Sequence, residues 1–265
     1  MEMKIDSNQG SRGADAFTLK LIALLFMLLD HVHTYLCIGP AWISLLPRFV
    51  APLFVFFLTE GFFHTRSREK YFLRMLLMAA IMFAGNAVIN LAFHNTDTLT
   101  GNVSFYSIIE GNNILWTLAV YLGILMILCR AKACSGIRKI SLYAAACMIV
   151  LFSMAFCEGG IYLLPVLLLC LVFHEKKRKI CTGIAAWSAI LFLKAVYSCL
   201  SGGTGISLWD TLCFDSEWAM ISVIVPILLY NGKRGIKSGF SKWMFYIFYP
   251  IHLWILKILA YLFIL

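Results

Sequence analysis

Long apolar runs, each separated from the next by a short cluster of charge, leave this chain few ways to fold. A bilayer core about 30 Å thick takes roughly 20 apolar residues per helix. Runs of that order recur near 18–38, 47–64, 71–93, 112–129, 139–157, 160–174, 180–200, 217–231 and 243–263. In hydrocarbon a backbone has to satisfy its own polar groups, so the runs read as helices. Charged residues make up 13% of the 265 and apolar ones 62%. A soluble domain carries roughly 25% charge and could not hide so much apolar surface. The expected fold is all-α: one polytopic bundle of about nine spans over 17–265, after a polar tail, 1–16, expected to be disordered. The sixth and eighth runs are short, and their Pro165 and Pro226 suit interrupted or re-entrant membrane helices.

Charge placement sets the expected sidedness. Nineteen of the 22 Lys and Arg residues fall in the N-terminal tail and in alternate connections, such as Arg66–Arg74 and Lys176–Lys179. The other connections hold Asp97, Glu110, Glu158, Asp210, Asp215 and Glu217. Cytoplasmic loops carry the basic excess, so the N-terminus is expected inside and, with an odd span count, the C-terminus outside. The formal charge of +9 is thereby spent on topology and anionic lipid, which argues against nucleic acid as a partner.

The nine cysteines include no Cys-x-x-Cys and read as small buried hydrophobes, with Cys199 and Cys213 placed to pair across one external loop. The chain has no His-Glu-x-x-His, P-loop, Gly-x-Ser-x-Gly or dinucleotide fingerprint, and no metal is expected.

Polar residues inside the spans carry the functional signal, because an intramembrane charge costs about 2.5–3.5 kcal/mol on insertion scales. Asp30-His31-Val32-His33 lies about 12 residues into the first run, roughly 18 Å deep at 1.5 Å per residue. A carboxylate beside an imidazole can orient it as a general base, although buried interhelical contacts use the same residues. Arg48 opens the second run, where it can snorkel to headgroups, pair with Asp30 or bind an anion. Glu60, His64 and Arg68 are spaced by four and stack if the helix continues; the basic end they share with Arg66 suits a phosphate-bearing cosubstrate or a plain salt-bridge cluster. Lys242, Tyr246, Tyr249 and His252 form one polar stripe on the last run, interrupted by Pro250. Asn112, Asn113 and Glu158 sit near the outer ends of spans, as caps, turns or binding groups.

Taken in order, several of these segments resemble the TraX family of bacterial membrane proteins. They are Leu19–Ala23 leading to Asp30-His31; Arg48 with Pro52-Leu53-Phe54; and Glu60–Arg66 with Tyr71 and Arg74. Asn112–Leu118, Tyr230–Gly235 and Phe248–Leu253 complete the set, so the resemblance covers nearly the whole chain. TraX of conjugative plasmids acetylates the pilin N-terminus, and the family looks related to membrane acyltransferases that use cytosolic acyl-CoA. The resemblance therefore implies a multi-pass protein of the bacterial cytoplasmic membrane. Its expected activity moves an acetyl group from acetyl-CoA to an amine or hydroxyl of a protein or envelope acceptor. It implies Asp30 and His31 as the catalytic pair, with Tyr249 and His252 as rivals. Arg66, Arg68 and Arg74 are then expected to receive the phosphates, and Arg48 to stabilise negative charge. A proton-coupled small-molecule transporter is the competing reading, since intramembrane Asp, Glu and His also build proton relays. A non-catalytic assembly protein is the third.

Overall fold

In the computed structural model, residues 13–97, 100–201, 207–236 and 238–264 are described. The chain folds as α1 (Ala16–Leu36), a 3-10 segment (Ala41–Phe49), α2 (Val50–His64), α3 (Arg68–Ala92) and α4 (Phe105–Ile109). There follow α5 (Ile114–Lys132), α6 (Gly136–Phe156), α7 (Gly160–Val172) and α8 (Lys177–Ser201). The remainder is α9 (Leu208–Phe214), a second 3-10 segment (Ser216–Val223), α10 (Ile224–Leu229) and α11 (Gly239–Phe263). Among the described residues, seven helical stretches are long and apolar enough to cross a membrane, Ala41–His64 being one of them. An eighth crossing results if the pair Leu208–Phe214 and Ser216–Leu229, bent by 64°, is a single span. The two runs that were short in the sequence are therefore the unusual ones: α7 has 13 residues, and the other is the bent pair.

Local chemistry sets the ends of these helices. The Asp15 side chain caps α1 by accepting from Thr18 N, Ser67 caps α3 through Lys70 N, and Asn113 caps α5 through Trp116 N. Helix α1 stops where Cys37 enters the left-handed region at φ 52°, followed by Gly39 and Pro40. The Ser67 cap closes the alternative in which Glu60, His64 and Arg68 share one helix: α2 ends at His64 and Arg68 begins α3.

Helices α2, α3, α5 and α7 form the centre, around Phe56, Phe62, Met82, Tyr121 and Leu167. The bundle closes by the first and last helices: α1 packs on α11, which also packs on α3. Helix α6 buries little beyond Ala146 and Ser153 and turns Ile140, Met148 and Leu151 outward. Such continuous outward apolar surface fits lipid contact. The two 3-10 segments pack on each other. Runs of eight or nine residues in this tight geometry are uncommon, and Pro47, which lacks an N–H donor, lies within the first.

Residues 1–12 of the expected tail, with Lys4 and Arg12, lie outside the described residues, as do Lys237 and the Lys242 side chain. Ala14 and Asp15, also assigned to that tail, are anchored. Ala14 N donates to Leu229 O at 2.9 Å, Asn231 N to Ala14 O at 3.0 Å, and Ala16 N to Lys233 O at 2.9 Å. Cys199 and Cys213 are not joined by a disulfide.

Candidate functional site

A cavity of about 590 Å³ runs down the inside of the bundle. Its course is written on α1, where Ala16, Lys20, Leu24, Met27, Asp30 and His31 line it at helical spacing. From Ala16 to His31 that is about 22 Å along the axis. Helix α2 lines it over nearly its whole length, from Val50 to His64. One mouth opens at the basic end of the bundle, and the other extremity reaches Arg48, Glu158 and Glu217 at the acidic end.

At the inner end His31 meets His252. His31 Nδ1 lies 2.8 Å from His252 Nε2, both side chains are buried, and the rings stack at a centroid distance of 5.0 Å. His252 Nδ1 lies 2.7 Å from the Phe248 carbonyl oxygen. A carbonyl only accepts, so His252 Nδ1 carries a hydrogen; in neutral His252 the Nε2 is then an acceptor. It follows that His31 donates through Nδ1–H, which leaves the Nε2 lone pair of neutral His31 to serve as a base. The tautomers follow from the hydrogen-bond network. The two histidines that the sequence offers as alternatives are thus hydrogen-bonded to each other.

Asp30 does not orient His31 as the sequence suggested. Consecutive helical residues point about 100° apart, and Asp30 instead faces the cavity with its buried Oδ1 unpartnered among the described residues. His33 turns away and donates through Nδ1 to the Ile38 carbonyl at 2.8 Å. The Tyr249 hydroxyl accepts from Ile114 N at 3.0 Å and lines the cavity, so its own hydrogen remains available to a ligand. Helix α11 continues through Pro250, whose missing N–H leaves the Tyr246 carbonyl without its intrahelical donor.

Arg48 pairs with Glu217, Nη1 to Oε1 at 3.2 Å, rather than with Asp30, and its buried Nε has no partner among the described residues. Glu217 had been assigned to an external loop; the second 3-10 segment carries it inward. Glu158 lies in the turn between α6 and α7 and opens onto the cavity. It accepts from Asn113 N at 2.7 Å and Asn112 Nδ2 at 3.0 Å. Burial raises its carboxyl above the usual range, and those two hydrogen bonds oppose the shift. Asn112 and Asn113 do not line the cavity; they position Glu158, and the Asn113 side chain also donates to Ala79 O at 3.0 Å.

Of the residues expected at the basic end, Glu60, His64 and Arg74 line the cavity. Glu60 pairs with His174 at 3.6 Å, and His64 Nδ1 donates to Glu60 O at 2.8 Å. Arg66 and Arg68 do not reach it: Arg66 is exposed, and Arg68 lies over the Phe62 ring at 4.4 Å. The sequence offered one missed signal here. Lys20 shares one helical face with Leu24, Met27 and His31, although a lysine at that place also serves as a topology signal.

A multi-pass helical membrane protein with an internal cavity, lined by one member of a buried histidine pair, is the class these features define. The chain belongs to the TraX family: residues 16–260 match the family described as TraX protein. It is 31% identical over 261 residues to a protein of Dichelobacter nodosus named probable fimbrial assembly protein FimC, serogroup H1. That similarity covers 92% of this chain and 95% of the relative. No solved structure matches.

Proposed function

We propose that this protein is a membrane-embedded acetyltransferase, taking its acyl group from acetyl-CoA in the cytoplasm and passing it to an amine or hydroxyl of an envelope acceptor. The His31–His252 relay at the inner end of the cavity is the observation that carries the reading. The acceptor's N–H or O–H places its hydrogen on His31 Nε2 as the acceptor attacks the thioester carbonyl carbon. The oxygen of the tetrahedral intermediate takes the Tyr249 hydroxyl hydrogen as a hydrogen bond. Collapse breaks the carbon–sulfur bond, and the leaving thiolate recovers the proton from His31. His252 stabilises the transient imidazolium because its Nε2 faces the charged ring. Asp30 and Glu158 present carboxyl groups on the acceptor side. The relative's name favours a fimbrial subunit as acceptor. With the basic end facing the cytoplasm, donor and acceptor approach from opposite sides of the membrane.

The test is transfer of label from radiolabelled acetyl-CoA to membrane extract by purified protein, with His31→Ala and His252→Ala alongside. Transfer by wild type that both variants lose supports the reading. Folded wild type that neither turns over acetyl-CoA nor labels an acceptor-rich extract sinks it in favour of the transporter.

A further inference from the structure

At the basic mouth three cations converge without partners of opposite charge. Lys20 from α1, Arg74 from α3 and Arg234 from the loop after α10 all line the cavity there. Among the described residues, none of them forms an ion pair with a carboxylate. The hydrogen bond from Ala16 N to Lys233 O holds the segment that carries Arg234 against the start of α1, which carries Lys20. The buried Nε of Arg74 has no hydrogen-bond partner among the described residues. Aromatic faces hold Lys20 and Arg74 in place instead. Lys20 Nζ is 5.0 Å from the Phe57 ring centre and 5.9 Å from that of Phe245, and Arg74 is 5.7 Å from both Tyr71 and Tyr246.

The loop that carries Arg234 is anchored. Backbone hydrogen bonds tie Leu229, Asn231 and Lys233 to Ala14 and Ala16. Gly232 and Gly235, at φ 80° and 77°, supply the left-handed turns the loop requires. Gly235 rests directly on the Asp15 side chain, which is itself engaged in capping α1. Three like charges held together at a low-dielectric mouth favour a polyanion, and guanidinium groups match phosphate oxygens in geometry.

We propose that Lys20, Arg74 and Arg234 form a phosphate-binding mouth that docks the phosphate-bearing end of the acyl donor. The identity of that ligand rests on the acetyl-transfer reading; the anion chemistry of the site does not. Helix α1 gives the ruler. Lys20 and His31 are 11 residues apart, about 16 Å along the axis. A donor with its phosphates at Lys20 needs an arm of that length to bring its thioester to His31, and an extended pantetheine arm is of that order.

Binding of CoA and of inorganic pyrophosphate to the full-length protein, by calorimetry in zwitterionic nanodiscs, tests the site independently of turnover. Arg234→Gln changes an exposed loop side chain, and Lys20→Met keeps the bulk of its helix position; Arg66→Gln is the control outside the cavity. Each of the first two is expected to weaken CoA and pyrophosphate about tenfold, the loss of one charge-assisted hydrogen bond, while Arg66→Gln changes neither. In turnover, the increase in KM is confined to acetyl-CoA and spares phosphate-free S-acetylpantetheine. Equal KM changes for both donors, or wild-type CoA affinity in both mouth variants, overturn the inference while leaving acetyl transfer standing. Pyrophosphate binding that the variants lose, in a protein with no acetyl transfer, keeps the anion site and removes only its donor. If the variants lose retention of phosphatidylglycerol but not of CoA, the phosphate recognised is a lipid headgroup and the proposal fails.

Discussion

His31 and His252, 221 residues apart in sequence, share a hydrogen bond of 2.8 Å and hand a free lone pair to the cavity. The tautomer that provides it depends on what His252 offers. His252→Ala removes the acceptor for His31 Nδ1–H and is expected to lower the transfer rate by about 10²–10⁴-fold, the usual worth of general-base catalysis. His252→Gln can still accept through its amide oxygen and should retain more activity than the alanine variant. Initial rates of label transfer decide it: equal losses in the two variants would refute the relay.

The Arg48–Glu217 pair ties the two 3-10 segments together. Both side chains are nearly 30% exposed, so the pair is expected to contribute only about 1 kcal/mol to stability. A double-mutant cycle with Arg48→Met and Glu217→Gln, followed by thermal unfolding in detergent, should give a coupling energy of that order. A zero coupling would mean that the segments are held by packing alone.

Gly85 on α3 faces Trp254 on α11 so closely that a β-carbon would run into the indole ring. Small residues permit such close helix approach in membranes. Gly85→Ala should therefore destabilise the fold by about 1–3 kcal/mol, the range for overpacking. It should also slow transfer, because α11 carries both Tyr249 and His252. An unchanged unfolding midpoint would show that Trp254 rotates aside freely.

Glu158 links stability to pH. Burial raises its folded-state pKa above the ordinary value of 4.5, so the folded state holds the proton longer than the unfolded one. Its contribution is complete below 4.5 and is lost as pH rises from there through the raised folded value. Unfolding midpoints measured against pH should show this decline in wild type and a flatter profile in Glu158→Gln. Identical slopes would remove Glu158 as the cause.

Much of this was legible in the residues themselves. Period and length marked the helices because lipid admits little else, and the short sixth and eighth runs marked α7 and the bent pair. Asp30, His31, Tyr249 and His252 stood out because polar groups are expensive at membrane depth; the first three line the cavity, and His252 lies behind them, hydrogen-bonded to His31. What the sequence could not show was pairing between distant helices. His31 found His252 rather than its neighbour Asp30, and Arg48 found Glu217, through packing that no local spacing encodes. The Ser67 cap likewise ended a helix that the four-residue rhythm of Glu60, His64 and Arg68 would have continued. Lys20 was hidden by a different ambiguity: a lysine near a span end reads equally as a topology signal and as a ligand group.

The first helix holds one histidine of the pair and the last helix holds the other, so ribosomal order has a chemical consequence. A nascent chain inserted only as far as α10 lacks His252 and also the stretch of cavity wall that Phe245, Tyr246 and Tyr249 supply. On the acetyl-transfer reading proposed above, prematurely terminated products are inert toward the acyl donor, and reactivity switches on only when the final segment enters the bundle and packs against α1.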